Sequence, residues 1–415
     1  MENALEEAKT ILKKYNQEHL LNGYDNLEEK KKEQLLEQIL NIDFELIKSL
    51  YDNTTKGDSE NNDVIEPMEY LDKNKLYDNY KYYENIGKHA IQEGKLAAVT
   101  MAGGQGTRLG HNGPKGTFKL ELNGETKSLF QIIVDKLRNA HEKYNVYLNC
   151  YIMTSPENNK ETVAFFEKNN YFNYPKEYIK FFMQEDLPLL NKEGKLILGE
   201  DGLIKLASEG NGGIFYSMAK KGIIDDMKSK NIKWIFIGSV DNLLVKYVDT
   251  LLLGLAIKQN VNIATRTVIK NSPNERVGVL CKKNGKVKVI EYTEVPEEMV
   301  VATDEAGELL YGESHIMCNL FSLEAIEKAS TKELKYHVAV KKIKYIDQNG
   351  KLVNPTEPNC YKFEKFVFDS FGLFDEIAIL RGKREEDFAP IKNAEGQDSP
   401  ETAKKLYESY MAKNV

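Results

Sequence analysis

The sequence has no run of about 18 apolar residues, which is the length that a membrane-spanning helix requires. The opening segment MENALEEAKTILKKYNQEHL also lacks the apolar core that a secretory signal peptide contains. We therefore expect a cytoplasmic protein that makes no contact with membranes.

Cysteine is scarce, and the four copies lie far apart without a CxxC pair: Cys150, Cys281, Cys318 and Cys360. This spacing excludes a zinc ribbon and a dense disulfide framework, so we predict reduced thiols. A surplus of positive charge is also missing, because the formal net charge is -7. General basicity, and nucleic-acid binding with it, is excluded, whereas a local basic pocket for a phosphorylated small molecule is still allowed.

Apolar residues make up 41% of the 415 residues and charged residues 29%, which is a globular composition with material for a sizeable core. The length predicts one large domain with smaller additions. Residues 1–53 have apolar side chains at three- and four-residue steps between charges, and a further helical pattern runs from about Lys75 to Glu93. We interpret residues 1–94 as an N-terminal helical arm.

Short apolar runs typical of buried strands begin at residue 96 and alternate with helical segments. The runs are Leu96–Met101, Val146–Met153, Ile179–Met183, Trp234–Val240 and Val261–Val268. This order predicts an α/β fold with a doubly wound, mostly parallel mixed sheet whose ligands bind beyond the carboxyl ends of the strands. Residues 278–295 alternate around Asn284-Gly285, which predicts a hairpin that we interpret as a β flap over the crevice.

The segment MAGGQGTRLG, residues 101–110, places four glycines directly after the first predicted strand. Backbone N–H groups approach phosphate oxygens closely where no β-carbon intervenes, and Arg108 and Lys115 add positive charge nearby. Neither the dinucleotide fingerprint GxGxxG nor the phosphate loop GxxxxGK[ST] fits the spacing. Taken alone, the segment could equally be a flexible turn with solvated charges.

The run AGGQGTRLG followed by PKG resembles the signature of the UDP-sugar pyrophosphorylases, most of all their UDP-N-acetylhexosamine branch. Further similar segments follow in the same order: MTS (153–155), FFMQEDLP (181–188), EGNGGIF (209–215), SVDNLL (239–244), VIEYTEV (289–295), EPNCYKFEKFVFDSF (357–371) and DFAPIKNAEGQDSPETA (387–403). The stretch YHVAVKKIKYIDQNGKLVNPTEPN (336–359) favours the N-acetylhexosamine branch over the UDP-glucose enzymes. The resemblance implies a Rossmann-like fold of the GT-A-like nucleotidyltransferase type.

The resemblance also implies that UTP and N-acetylglucosamine 1-phosphate react to UDP-N-acetylglucosamine and pyrophosphate with Mg²⁺ or Mn²⁺. It assigns the nucleotide to Ala102, Gly103, Gly104, Gly106, Thr107, Gln184 and Gly212. A carboxamide suits the uracil edge, which has a donor flanked by two acceptors. Arg108, Lys115 and Lys392 are the implied catalytic cations, and Asp241 is the implied metal ligand at the end of a strand.

A second set is assigned to the sugar by the resemblance: Asn211, Gly213, Tyr292, Glu294, His315, Phe366 and Phe368. A strand would place Phe366 and Phe368 on one side, as a slot for an acetamido methyl group, with core packing as the alternative. His315 stands where the family usually has asparagine, and its imidazole can titrate near neutral pH. Glu185-Asp186 and Glu209 are further departures, because the family commonly has glycine and aspartate there.

We divide the chain into the helical arm (1–94), a catalytic domain that binds nucleotide and sugar (95–330), and a C-terminal part that completes it (331–415). The resemblance implies a compact, bacterial version without the separate C-terminal β domain of eukaryotic relatives. No protein partner is evident from the sequence. Two alternatives stay open, namely a UDP-glucose or broad-specificity UDP-sugar pyrophosphorylase and a catalytically silent UDP-sugar sensor.

Overall fold

The structure, a computed structural model, describes residues 2–54, 63–77, 79–292, 294–347 and 350–414. They form two compact units, each assembled from three stretches of chain. The smaller unit contains the described residues of Met1–Asn62, Glu185–Gly212 and Lys335–Phe366. The larger unit contains those of Asp63–Gln184, Gly213–Leu334 and Val367–Val415. Because each unit collects distant stretches, the division does not follow the boundaries at residues 94 and 330 expected from the sequence.

Several helices begin at a side-chain cap, since Ser128, Asp249 and Ser322 each accept a hydrogen bond from the backbone N–H three residues ahead. No helix among the described residues is long and apolar enough to cross a membrane. In chain order the helices are α1 (Glu2–Lys14), α2 (Glu29–Asn41), α3 (Phe44–Thr54), α4 (Asn79–Gln92), α5 (Leu129–Tyr144), α6 (Asn159–Lys168), α7 (Ile214–Lys220), α8 (Ile223–Ser229), α9 (Thr250–Gln259), α10 (Glu297–Val300), α11 (Leu323–Ser330), α12 (Arg384–Asp387) and α13 (Pro400–Asn414).

The strands include all five runs that the sequence predicted, which appear as β3, β6, β7, β11 and β12 in the following series. In chain order the strands are β1 (Ile65–Pro67), β2 (Leu71–Asp72), β3 (Leu96–Met101), β4 (Lys119–Leu122), β5 (Glu125–Ser128), β6 (Asn149–Thr154), β7 (Ile179–Met183), β8 (Asp186–Pro188), β9 (Leu190–Asn191), β10 (Leu206–Ser208), β11 (Trp234–Ser239), β12 (Ile263–Ile269), β13 (Val279–Lys283), β14 (Lys286–Ile290), β15 (Glu313–Ser322), β16 (His337–Lys341), β17 (Tyr345–Ile346), β18 (Leu352–Val353), β19 (Cys360–Glu364) and β20 (Ala378–Arg381).

Eleven of these strands form the central sheet of the larger unit. Eight of them lie in the order β2-β20-β12-β15-β11-β3-β6-β7. The remaining three are attached through β13, which pairs with β15 and also with β1 and β14. Neighbours among the eight run parallel except where β15 pairs with β11 and β12. β3 is buried along its whole length, as its continuous apolar run predicts for a strand covered on both faces. The predicted α/β class with a large, mostly parallel mixed sheet is confirmed.

The predicted hairpin forms, but it belongs to the central sheet. β13 and β14 pair around Asn284 and Gly285, whose φ angles of 52° and 74° suit a tight hairpin turn. β13 also pairs with β1 and β15, so hydrogen bonds anchor it on both sides. The hairpin that we interpreted as a β flap is therefore an extension of the central sheet, because β1 and β15 provide backbone partners that alternation in the sequence does not reveal.

The predicted helical arm contributes instead to the core of the smaller unit. Leu12, Leu36 and Ile39 are buried in one apolar cluster with Leu190 and Phe363. The side chains of two glutamines, Gln17 after α1 and Gln38 in α2, bind the backbone of the 194–204 stretch. Gln17 contacts Gly194 and Leu196, and Gln38 contacts Ile204 twice. Residues 2–54 are thus part of a shared core, which periodicity alone could not show.

The four cysteines are all free and buried, in agreement with the predicted reduced thiols: Cys150, Cys281, Cys318 and Cys360. The expectation that Phe366 and Phe368 share one side of a strand is wrong. β19 ends at Glu364, and Phe368 lies in the 3₁₀ helix Val367–Leu373. Their spacing of two residues therefore does not align their side chains, because the chain leaves the strand geometry before both residues.

Candidate active site

Four adjacent parallel strands of the larger unit end at one edge of the central sheet. β11, β3 and β6 lie side by side with Ser239, Met101 and Met153 in register, and β7 follows β6. The glycine-rich loop comes directly after β3, Asp241 after β11 and Gln184 after β7. Since ligands of open α/β sheets bind beyond the carboxyl ends of the strands, this edge is the candidate active site.

The glycine-rich loop is tied to its surroundings by a fully buried asparagine. Asn158 donates from Nδ2 to the carbonyl oxygens of Ala102 and Gly104, at 2.9 and 3.3 Å. Its Oδ1 accepts a hydrogen bond of 2.9 Å from the backbone of Ser155. The N–H of Ala102 donates to Met153 at 2.8 Å. These bonds argue against the alternative of a flexible turn.

Gly103 lets the loop lie directly against Gln184. A β-carbon at residue 103 would stand 2.7 Å from Nε2 of Gln184, which is closer than side chains approach each other. Gln184 is only 5% exposed, and its backbone N–H donates to Thr154 at 2.9 Å. Within the described residues its carboxamide has no hydrogen-bond partner. The loop and the amide assigned to uracil are therefore neighbours.

The second half of the loop carries the exposed Arg108. Thr107–Leu109 form one 3₁₀ turn, in which Thr107 and Arg108 face solvent. Gly106 permits close packing, because a β-carbon there would lie 2.8 Å from the ring of His111. Arg108 makes no ion pair with any residue that the structure describes. Its guanidinium is thus available to an external anion.

Lys115 reaches Asp241 from the far side of the loop. Its backbone N–H donates to Gly104 at 3.0 Å, and its Nζ lies 3.1 Å from Oδ2 of Asp241. The side chains are 12% and 25% exposed. Burial alone would raise the pKa of Asp241, but the charge of Lys115, hydrogen bonds from Ser239 and Lys115 and the charge of Lys392 hold it below its ordinary value. Asp241 is therefore an anion at neutral pH.

Lys392 joins this pair through the backbone. Ile391 N–H donates to the carbonyl of Asp241 at 2.9 Å, so Lys392 follows a residue fixed to the Asp241 turn. Its Nζ lies 3.7 Å from Asp398, and 40% of its side chain is exposed. The tertiary structure thus brings together Lys115, Asp241 and Lys392, which the sequence separates by more than 100 residues each.

His315 is packed among aromatic rings in the larger unit. It meets Phe368 and Phe371 edge to face, with ring centroids 5.5 and 5.7 Å apart, and its Nε2 lies 3.0 Å from Oδ1 of Asn319. Desolvation lowers the pKa of His315 to about 4 despite the hydrogen bond to Asn319. The expectation that it titrates near neutral pH is therefore wrong, because burial penalises the charged imidazole.

Tyr292 and Glu294 lie in an exposed turn after β14. The Arg276 guanidinium stands over the Tyr292 ring at 5.9 Å, and the Glu294 N–H donates to Glu291 at 2.8 Å. Both side chains face solvent in this structure. Their assignment to the sugar stays a prediction.

In the smaller unit, Gly210 and Gly212 of the GNGG segment allow close backbone packing. A β-carbon at Gly212 would stand 2.7 Å from the backbone of Phe366, and the N–H of Gly212 donates to Lys365 at 2.9 Å. Asn211–Gly213 form a single 3₁₀ turn. Glu209 is buried and pairs with Lys365 at 3.1 Å. Glycine is needed here because the backbone of residues 365 and 366 occupies the space that a side chain would need.

Residues 44–398 match the model of a family described as UTP–glucose-1-phosphate uridylyltransferase. The chain belongs to this family. The chain is similar to the UDP-N-acetylglucosamine pyrophosphorylase of Saccharomyces cerevisiae, to which it is 34% identical over 413 residues, 95% of this chain and 85% of that protein. UDP-N-acetylglucosamine diphosphorylase 2 of Arabidopsis thaliana is 34% identical over 419 residues, 95% and 82% of the two chains. The resemblance stated from the sequence is thereby confirmed.

A solved structure of the uridylyltransferase family extends the likeness to three dimensions. The uridine diphosphate N-acetylglucosamine pyrophosphorylase from Trypanosoma brucei, crystallised with an inhibitor, superimposes with a TM-score of 0.81 at 30% identity. The match covers 96% of this chain and 83% of that chain. The fold is therefore that of the UDP-sugar pyrophosphorylases.

Two residues that tie this uridylyltransferase site together were missed by sequence reasoning. Asn158 supports the glycine-rich loop, and Ser239 donates a hydrogen bond to Asp241. Asn158 stands just before α6, at the N-cap position, where the sequence signal is a helix cap and not a loop contact. Ser239 lies within the predicted strand Trp234–Val240 and is the last residue of β11, so its proximity to Asp241 was open to prediction.

The fit of the predicted divalent metal depends on Asp241. Among the described ranges of the chain, no group of three or more His, Cys, Asp or Glu side chains could hold a metal ion. Mg²⁺ is commonly bound by one or two carboxylates together with substrate phosphates and water. The anionic Asp241 beside the loop has the hard oxygen chemistry that this arrangement needs, so it fits as a single protein ligand.

Proposed function

We propose that this chain is a uridylyltransferase that joins UTP to N-acetylglucosamine 1-phosphate and releases pyrophosphate. The observation that carries the proposal is the meeting of a glycine-rich loop, a free carboxamide and a Lys115–Asp241 pair at one sheet edge. The names of the relatives point to the same reaction. A pure binding protein would need the loop and Gln184 but not this set of charged groups.

The nucleotide, in this proposal, lies beyond β3 and β11. The chain builds β3, β6 and β7 outward in one direction and then places β11 on the other side of β3. Doubly wound sheets bind nucleotides where the strand order reverses in this way. This topology supports a Rossmann-like sheet of the GT-A-like type, with the phosphates over Gly103, Gly104 and Gly106 and the uracil at Gln184.

The reaction is an in-line attack by an oxygen of the sugar 1-phosphate on the α-phosphorus of UTP. The new bond joins that oxygen to phosphorus, and the bond to pyrophosphate breaks. The nucleophile is already an anion at neutral pH, so no general base is required. Arg108, Lys115 and Lys392 hold the two polyanions together and stabilise the charge that develops at phosphorus.

Mg²⁺, or Mn²⁺, would be held by Asp241 and by phosphate oxygens of the substrates. When bound, it would neutralise part of the phosphate charge. The residues of the chain would orient the same phosphates, since Lys115 contacts Asp241 and Lys392 is fastened beside it.

The N-acetylhexosamine substrate is the finer part of the proposal. His315, neutral and packed on Phe368, gives an uncharged, partly aromatic surface for an acetamido group. The assignment of Tyr292, Glu294, Asn211, Gly213 and Phe366 to the sugar stays a prediction. A cytoplasmic location, the absence of a protein partner and the assignment of residues 95–330 to catalysis stay predictions.

Pyrophosphate release tests the reaction. The purified protein is supplied with UTP, Mg²⁺ and either N-acetylglucosamine 1-phosphate, N-acetylgalactosamine 1-phosphate or glucose 1-phosphate, and each is repeated with CTP. We expect the highest kcat/KM with UTP and an N-acetylhexosamine 1-phosphate. Preference for glucose 1-phosphate would favour a UDP-glucose enzyme, and UTP binding without any turnover would favour a silent sensor.

Lys115→Ala is the matched variant for this assay. Removing one preorganised cation typically costs on the order of 2.7 to 4 kcal/mol of transition-state stabilisation, so turnover should fall about a hundredfold or more. Lys119→Ala, at an exposed position on β4, is the control and should keep wild-type turnover. Near-normal pyrophosphate release by a folded Lys115→Ala protein would contradict the role of this cation.

A further inference from the structure

Asn242, the residue after Asp241, has no part in the proposed chemistry, yet its side chain is buried and fully engaged. It is 5% exposed, in the turn that follows β11. Its Oδ1 accepts hydrogen bonds from the backbone N–H groups of Leu244 and Ala389, at 3.0 and 2.9 Å. Its Nδ2 donates to the carbonyl oxygen of Asp387 at 2.8 Å.

This pattern suits a carboxamide. Ala389 offers a donor and Asp387 an acceptor, and a carboxamide presents its acceptor and its donor on two separate atoms of one short side chain. Aspartate could receive the Ala389 N–H but could not bind the Asp387 carbonyl. Alanine would leave both backbone groups buried without this partner, which is unfavourable inside a protein.

The backbone on either side of Asn242 continues the same connection. Leu243 N–H donates to the carbonyl of Ala389 at 3.0 Å, and Ile391 N–H donates to the carbonyl of Asp241 at 2.9 Å. Residues 241–243 and 389–391 therefore form a short antiparallel pairing with Asn242 opposite Pro390. Lys392 is the next residue, so this pairing sets where its side chain begins.

The other end of the segment is anchored by buried charge. The carboxylate of Asp387, 1% exposed, lies 3.4 Å from the Arg266 guanidinium and 2.5 Å from Nζ of Lys246. Arg266 is held in turn by Asp249. Asn242 thus connects residues 387–391, which are anchored at Asp387, to the turn that contains Asp241. Lys392 directly follows this connected segment.

We propose that Asn242 is a positioning residue that fixes Lys392 relative to Asp241, an inference that rests on the proposed function of these two groups at the substrate phosphates. The amide does not touch substrate. It acts by holding residues 389–391 against the Asp241 turn, so that a lysine and a carboxylate from distant parts of the sequence keep one spacing.

A double-mutant cycle tests the inference by kinetics. Asn242→Ala should lower kcat at least about tenfold while KM for UTP changes less than about threefold, because the lost placement matters most in the transition state. In a Lys392→Ala background the same substitution should cost little further, since its target is gone. Effects of Asn242→Ala and Lys392→Ala that multiply independently would overturn the inference.

Hydrogen exchange gives a second readout that does not depend on turnover. The exchange rate of a peptide covering residues 388–393 should rise at least about tenfold in Asn242→Ala, since the Ala389 amide loses its partner and the neighbouring bond from Ile391 to Asp241 loses its support. Ser322→Ala removes a buried cap at the opposite edge of the sheet and serves as the matched control. It should change neither exchange at 388–393 nor kcat. Wild-type exchange at 388–393 in Asn242→Ala would overturn the inference.

Asn242→Asp provides the variant for the case that the alanine protein does not fold. It keeps the acceptor for Ala389 and loses the donor to Asp387, so kcat should again fall while the melting temperature stays measurable. Turnover equal to wild type would overturn the inference. A wild-type protein that releases no pyrophosphate would instead contradict the proposed function, and raised exchange in Asn242→Ala would then still support the fastening of Lys392 to the Asp241 turn.

Discussion

At the scale of single residues, burial changes what a side chain can do. The imidazole of His315 lies among Phe368, Phe371 and Asn319 and stays neutral at physiological pH, because desolvation lowers its pKa to about 4. Asp241 shows the opposite outcome, since Lys115 and Ser239 keep it charged in spite of burial. Residue type alone predicted the charge of Asp241 but not the neutral state of His315.

The His315 shift predicts how stability depends on pH. The unfolded histidine has a pKa of about 6.5, so the unfolded chain binds the proton first as the pH falls. The stability contributed by neutral His315 is therefore present above about pH 6.5 and is lost between about pH 6.5 and 4. Over this range the loss is on the order of 3 kcal/mol. In His315→Asn this pH-dependent loss should disappear. The free energies of unfolding measured in urea at about pH 7 and about pH 4.5 should therefore differ less than in the wild type.

An exposed histidine gives the control for this measurement. His89 on α4 has 75% of its side chain exposed, so His89→Asn should leave the pH dependence of unfolding as it is in the wild type. Equal pH dependence in wild type and His315→Asn would show that His315 does not stay neutral in the folded protein.

At the scale of structural elements, two neighbouring glycines of the loop have different tasks. A β-carbon at Gly103 would collide with Gln184, whereas one at the exposed Gly104 would have no protein atom within 4 Å. The loop after β3 therefore combines a packing glycine with a glycine that faces outward, as a phosphate-binding turn requires. The family resemblance assigned both residues to the nucleotide.

Gly103→Ala should displace Gln184 and weaken selection for the uracil base. We expect the ratio of kcat/KM for UTP over CTP to fall about tenfold or more, since one well-placed hydrogen-bonding group contributes at least that much discrimination. Gly104→Ala is the matched control and should keep the ratio even if its absolute rate falls. If Gln184→Ala lowers the ratio of kcat/KM for UTP over CTP but Gly103→Ala leaves it unchanged, Gly103 has no part in recognition of the base.

At the scale of the whole molecule, the smaller unit draws its core from three parts of the chain. Leu12 is fully buried in a cluster with residues of the 190–204 stretch and with Phe363. Such a core stabilises all of its contributors together. If residues 1–94 were instead an independent arm, the first helices could unfold locally without the rest of the unit.

Leu12→Ala separates these two descriptions. Deleting a buried leucine side chain typically costs about 2 to 5 kcal/mol, so hydrogen exchange should rise together in residues 2–54, 185–212 and 335–366. Leu206→Ala, at a side chain that is 41% exposed in the same unit, is the control and should have little effect. A rise of the hydrogen-exchange rate that is confined to residues 2–54 would support the interpretation of an independent helical arm.

The sequence by itself determined the family, the strand runs of the central sheet and the composition of the glycine-rich loop. These are local patterns, and the order of motifs such as SVDNLL and APIKN is preserved along the chain. It also grouped Lys115, Asp241 and Lys392 by resemblance. The contact of Lys115 with Asp241, by contrast, depends on strands β3 and β11 lying side by side.

Only the tertiary structure decided which residues share a core, which charge states survive burial and which amides hold the site together. The helices of residues 2–54 find their partners more than 130 residues away, at Leu190 and beyond. Asn242 and Asn158 look like a turn and a helix cap in sequence, yet each binds a distant backbone segment. Such contacts join residues far apart in the chain, so no local period or spacing encodes them.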